Sequence, residues 1–218
     1  MHLWLLLVAC SPSEAEQMLA AHSAPTLEEA LAACPEGSGE CQHDAVVRFE
    51  AWARCSDLPD PWGDECRFQQ AEGMEHADDG PGAFALCATI RYSVGCGTHV
   101  AGQQSRRPAD LTEAEARWTT LGGHAEARFA FPYWQGFWRN RIDHGDAPPL
   151  EACRSRVCRD AGRKQIEATV ASLAVPCTAL DRPPPAWVPE GSAESREVWT
   201  TALSRHCVAD AAQPVPTR

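Results

Sequence analysis

Cysteine spacing constrains this chain more than any other feature of the sequence. Ten of the eleven cysteines fall into five neighbouring pairs, Cys34/Cys41, Cys55/Cys66, Cys87/Cys96, Cys153/Cys158 and Cys177/Cys207, while Cys10 stands apart near the start. Bonded cysteines need Cα atoms roughly 4.4–6.8 Å apart, whereas residues five or more apart on one straight helix are separated by at least about 7.5 Å along its axis. A bridged segment must therefore reverse direction between its cysteines. Three of the pairs sit where one apolar-periodic segment ends and the next begins, in EEALAACPEGSGECQHDAVVRF, FEAWARCSDLPDPWGDECRFQQA and GAFALCATIRYSVGCGTHVAG. Together these form a degenerate repeat of helix, cysteine, turn, cysteine and helix, with EACRSRVCRDAGRKQI as a candidate fourth copy. Spacing alone does not set connectivity. The RSRV between Cys153 and Cys158 contains no turn residue, which leaves a more distant partner open for Cys158.

A chain of 218 residues can build a hydrophobic core without disulfides. This many cysteines therefore speaks of compartment rather than size, because disulfides persist in oxidising surroundings and are rare in a reducing cytosol. No C-x-x-C occurs, so the zinc-ribbon, thioredoxin-type and haem-attachment signatures are all missing.

Helix signals recur and strand signals do not. Thr26 with Glu29 forms a capping-box pattern, and Asp110 with Glu113 offers a similar start to a segment running to about Ala130 with an interruption at Gly122-Gly123. Val46, Phe49 and Ala53 recur at helical spacing, as do Ile166, Val170 and Leu173. The expected fold is all-α, with disulfide-stapled antiparallel helical hairpins stacked as a compact array or short solenoid over residues 26–180. The proline-rich stretch 181–191 should be polyproline II, and residues 192–218 a C-terminal helix tied back by Cys177–Cys207, ending in a frayed tail. In architecture this resembles the cysteine-stapled helical repeats of the Sel1-like kind.

The apolar run Leu3–Ala9 is seven residues long, too short for a transmembrane helix of about 20 residues and in the range of a signal-peptide apolar region. It ends in Leu7-Val8-Ala9-Cys10, which resembles the lipobox of bacterial lipoproteins. The resemblance implies a signal peptide over residues 1–9, cleavage before Cys10, a diacylglyceryl thioether and fatty acylation (palmitate) on that cysteine, and a polar tether over residues 10–25. Ser11 in the position after the cysteine implies outer-membrane sorting.

The formal net charge of −11 argues against nucleic acid as a partner, since phosphate neutralisation needs a basic surface. The charge is uneven, with sixteen Asp/Glu against three arginines from Ser11 to Gly80, and twelve Lys/Arg against eight Asp/Glu from Pro81 to Lys164. An acidic first third is either a solvated face or a surface for a basic partner.

The densest aromatic stretch, RFAFPYWQGFWRNRID, places Trp134, Phe137 and Trp138 close together on a helix, followed by Arg139 and Arg141. Such a stripe is a core face or a binding patch with arginine for an anionic group; it is the candidate binding site. His76 with Asp78 and His144 with Asp146 are weak metal candidates, since imidazole and carboxylate can bind zinc or form a base and its orienter. Neither H-E-x-x-H nor a nucleophile elbow, P-loop or G-x-G-x-x-G occurs, so no cofactor and no catalytic residue is assigned. The leading expectation is a lipid-anchored envelope protein acting as a non-enzymatic binding or adaptor module, held to the membrane by lipid and engaging an envelope protein. The alternatives are a periplasmic hydrolase or metal enzyme using His/Asp groups, and a structural envelope protein.

Overall fold

The computed structural model describes residues 13–123, 125 and 127–208. They form ten α-helices and four 3-10 turns. Among the described residues there is no strand, only an isolated bridge between Pro176 and Val208. The chain is all-α. It divides into two compact units, one of residues 13–73 with Thr89–Arg91, the other of Met74–Ala88 with residues 92–208.

The first unit holds α1 (Glu14–Ser23), α2 (Leu27–Ala33), α3 (Gly39–Arg48), a 3-10 turn at Trp52–Asp57 and most of α4 (Trp62–His76). Each of the first three helices starts for a local reason. Ser13 and Glu16 complete a reciprocal capping box on α1, and the Thr26 hydroxyl accepts the Glu29 amide at 3.3 Å to open α2. Ser38 caps α3 by accepting the Cys41 amide at 3.4 Å. Arg48 closes the far end of α1, donating to the carbonyls of His22 and Ala24. The core gathers Val46, Cys55 and Cys66 under Leu27, Leu31, Trp52 and Leu58.

The periodicity through Val46, Phe49 and Ala53 implies a longer third helix than the chain makes. After Arg48 the chain turns instead: the Ala51 amide donates to Val46 O at 2.9 Å and the Glu50 amide to Val47 O at 3.0 Å, with Glu50 left-handed at φ 51°. This is a Schellman stop built on a non-glycine residue, and Ala53 lies beyond it in the 3-10 turn.

The second unit holds the last turn of α4, then α5 (Gly80–Cys87), α6 (Ser93–Gln104), α7 (Leu111–Gly122), α8 (Ala130–His144), α9 (Arg156–Ser172) and α10 (Ala193–His206). The helix begun at Asp110 ends at the glycine pair rather than continuing to Ala130. Helix α8 is the central element, packed on α6, α7 and α9. Its rings meet edge to face: Tyr133 and Trp134 have centroids 5.2 Å apart, Trp134 and Phe137 5.9 Å, Phe137 and Trp138 6.1 Å. Trp138 Nε1 donates to Cys158 O at 3.0 Å, and Tyr133 Oη to Ala114 O at 2.9 Å. Trp134, Phe137 and Trp138 are all buried. They are therefore not an exposed binding patch: neighbours cover α8 on several sides, so its aromatic stripe is consumed in packing.

Five disulfides join Cys34–Cys41, Cys55–Cys66, Cys87–Cys96, Cys153–Cys158 and Cys177–Cys207. In the two hairpins α2/α3 and α5/α6, a cysteine at the end of one helix meets a cysteine in the first turn of the next. Cys153 reaches Cys158 without a turn residue because Ser155 is extended and caps α9, accepting the Cys158 amide at 3.1 Å. The Cys177–Cys207 bridge ties the end of α10 to the 3-10 turn Cys177–Asp181 across the proline-rich connection.

Candidate functional site

The two His-x-Asp pairs turn out to be helix stops. His76 is the last residue of α4 and Asp78 adopts φ 68° just after it, with the Asp79 amide donating to Met74 O at 2.8 Å. His144 likewise ends α8, Gly145 is left-handed at φ 77°, and the Asp146 amide donates to Arg141 O at 3.0 Å. In both, the aspartate is already engaged. Asp78 accepts from Arg117 at 2.8 Å and Arg107 at 3.0 Å, and the Arg117 and Arg107 guanidiniums hold its carboxyl below the usual range. Asp146 accepts from Arg141 at 3.0 Å, while His144 Nδ1 lies 2.7 Å from Asn140 O. No group of three or more His, Cys, Asp or Glu side chains is arranged to hold a metal among the described residues. The apolar run Leu3–Ala9, Cys10, His124 and the C-terminal tail lie outside the described residues.

The two arginines of the aromatic stretch part company. Arg141 is an internal clamp, donating to Ala109 O at 2.6 Å as well as to Asp146. Arg139 is exposed, with Asp143 4.0 Å away as its ion-pair partner, and it lines a polar groove.

This groove, about 570 Å³, is built where α6, α8 and α9 meet in the second unit. One wall is the stripe Thr98, Gly102 and Arg106, four residues apart along α6 and just past its end. The facing wall is the α8 stripe Gln135, Gly136, Arg139, Asn140 and Asp143, and Gln165 comes from α9. Glycine is what lets the two walls close. A Cβ on Gly136 would collide with Ser105 Oγ, and one on Gly97 would run into the Phe129 ring. Asn140 Nδ2 then donates to Arg106 O at 3.1 Å. Nothing in the sequence flagged the groove, since its residues come from three segments; the nearest signal was the spacing of small and polar residues through Thr98, Gly102 and Arg106.

In two of the other concavities of the second unit the charged side chains are already engaged within the chain. In one of about 300 Å³, Arg117 is spent on Asp78 and on Gln104 Oε1 at 2.7 Å, and Glu113 on the Ala109 amide at 2.7 Å. In the other, about 260 Å³, Trp118, Trp134 and Val157 form an apolar cleft rimmed by Glu115 and Arg154, which pair at 3.1 Å.

No protein-family model matches the chain, and neither a curated protein nor a solved structure is significantly similar to it.

Proposed function

We propose that the chain is a lipid-anchored binding module of a bacterial cell envelope, sorted to the outer membrane. The observation that carries this reading is a balance of thiols. All ten cysteines from Cys34 to Cys207 are bridged, so Cys10 alone is left for other chemistry, and it ends the lipobox-like tetrad Leu7-Val8-Ala9-Cys10. Five bridges suit an oxidising compartment, and an acylated Cys10 suits export. Several acyl chains hold a protein on a membrane where a single one binds only marginally.

The binding part of the proposal draws on the second unit, where a rigid, disulfide-stapled scaffold presents an open polar groove. It also draws on the acidic surface of the first unit, as a face for a basic envelope partner. Labelled palmitate should enter the wild-type chain in bacterial cells and not the Cys10→Ser variant; equal labelling of both would refute the anchor. Crosslinking in native envelopes should recover a specific protein partner, and recovery of none would count against the binding module.

A further inference from the structure

The polar groove has a direction, because α6 and α8 run side by side in the same sense. Gly97 meets Phe129, Ser105 meets Gly136, and Arg106 meets Asn140. One end, at Thr98 and Gln135, carries no charge; the other gathers Arg106, Arg139 and Asp143. The side chains of Arg106, Gln135 and Gln165 make no hydrogen bond within the described chain. Between the ends the α6 wall is bare, since a Cβ on Gly102 would meet nothing within 4 Å.

These features specify an occupant. From Thr98 to Arg106 the stripe spans about 12 Å at 1.5 Å per residue, the length of about four extended peptide residues at 3.3 Å each. Asparagine and glutamine amides both donate and accept, matching a main chain that alternates N–H and C=O. Guanidinium groups grip carboxylates in bidentate pairs. No aromatic ring lines the groove among the described residues, so it offers no stacking platform for a sugar ring.

We propose that the groove binds an extended, carboxylate-bearing peptide of about four residues. The carboxylate sits between Arg106 and Arg139, and the main chain lies along Gln135, Asn140 and Gln165. This rests on the binding-module reading and is independent of lipid anchoring.

The test uses the full oxidised chain carrying Cys10→Ser and two fluorescein-labelled probes followed by anisotropy. One is Ala-Glu-Ala-Glu-Ala with a free carboxyl terminus; the other is its glutamine counterpart with an amidated terminus. The acidic probe should bind, and the neutral one should bind at least about tenfold more weakly, the scale of one lost charge-assisted hydrogen bond. The double variant Arg106→Gln/Arg139→Gln should lose a similar factor. Gly102→Trp should fill the groove from the α6 wall and abolish binding while the helical circular dichroism and melting temperature stay as in the parent. Equal binding of both probes, or wild-type binding by Gly102→Trp or by the double variant, overturns the proposal. So does binding to phosphatidylglycerol vesicles in place of the acidic probe. A chain that crosslinks to an envelope partner yet ignores the acidic probe overturns this inference and leaves the binding module standing.

Discussion

The Glu151 carboxylate caps a helix to which it does not belong. Its Oε1 accepts the Glu194 amide at 2.8 Å in the first turn of α10, and its Oε2 accepts from Ser192 Oγ at 2.6 Å while Ser192 Oγ accepts the Ser195 amide at 2.9 Å. Partial desolvation pushes the Glu151 carboxyl up, but the hydrogen bonds from Ser192 and the Glu194 amide, with Arg159 nearby, outweigh it and leave the group below its ordinary value. A carboxyl lowered by folding adds stability that is full above its unfolded value and is lost as the pH falls through its folded value. Glu151→Gln should therefore lower the melting temperature at pH 7, and the gap from wild type should narrow below about pH 4.3, the ordinary glutamate value. A gap that widens in acid would contradict this. Two glycines make opposite predictions. A Cβ on Gly162 would lie 2.5 Å from both Leu150 Cδ2 and Trp138 Cε2, so Gly162→Ala should cost about 1–3 kcal/mol by overpacking. Gly102→Ala, entering open space, should gain about 0.5–1 kcal/mol from helix propensity. Urea unfolding measures both.

At the scale of elements, three helices end in the same way, α3 at Glu50, α4 at Asp78 and α8 at Gly145. Only Gly145 has the residue that this conformation favours. Replacing exposed Glu50 with glycine should stabilise the protein by about 0.5–1 kcal/mol, and a lower urea midpoint would show that the Glu50 side chain has a role of its own. The bridges should differ in weight. By loop-closure entropy, removing Cys177–Cys207 with paired serines should cost about 3.5–4 kcal/mol and removing Cys153–Cys158 about 2. What the sequence revealed follows the range of the interaction. The caps at Thr26 and Asp110 were legible because a cap is made within four residues, and the helical hairpins because cysteines at helix ends force a reversal. The end of α3 was hidden because its left-handed residue is a glutamate. The aromatic stripe of α8 could be read as core or as patch until its neighbours were known. The groove was invisible because the alignment of α6 with α8 is a long-range choice, expressed locally only as glycines at 97 and 136.

For the molecule as a whole, charge and thiol pairing matter most. Residues 13–73 with Thr89–Arg91 contain thirteen carboxylates and four arginines. All four arginines are engaged inside that unit, by carbonyls at the end of α1 for Arg48 and by Asp57, Asp64 and Asp60 for the others. The unit thus repels itself, and screening should help it. Amide exchange in α2 and α3 should slow between about 0.01 M and 1 M salt, as the screening length falls from about 30 Å to about 3 Å; faster exchange in salt would contradict this. The bridges have a consequence of another kind. Each bonded cysteine is joined to the neighbouring one along the chain, so a polypeptide threaded N-terminus first into an oxidising space meets its right partner as soon as that partner emerges. Such a scheme has a reading frame. With an eleventh thiol free, the first pairing offered to Cys34 would be Cys10 rather than Cys41, so the acylation proposed for Cys10 would also keep the other ten in phase.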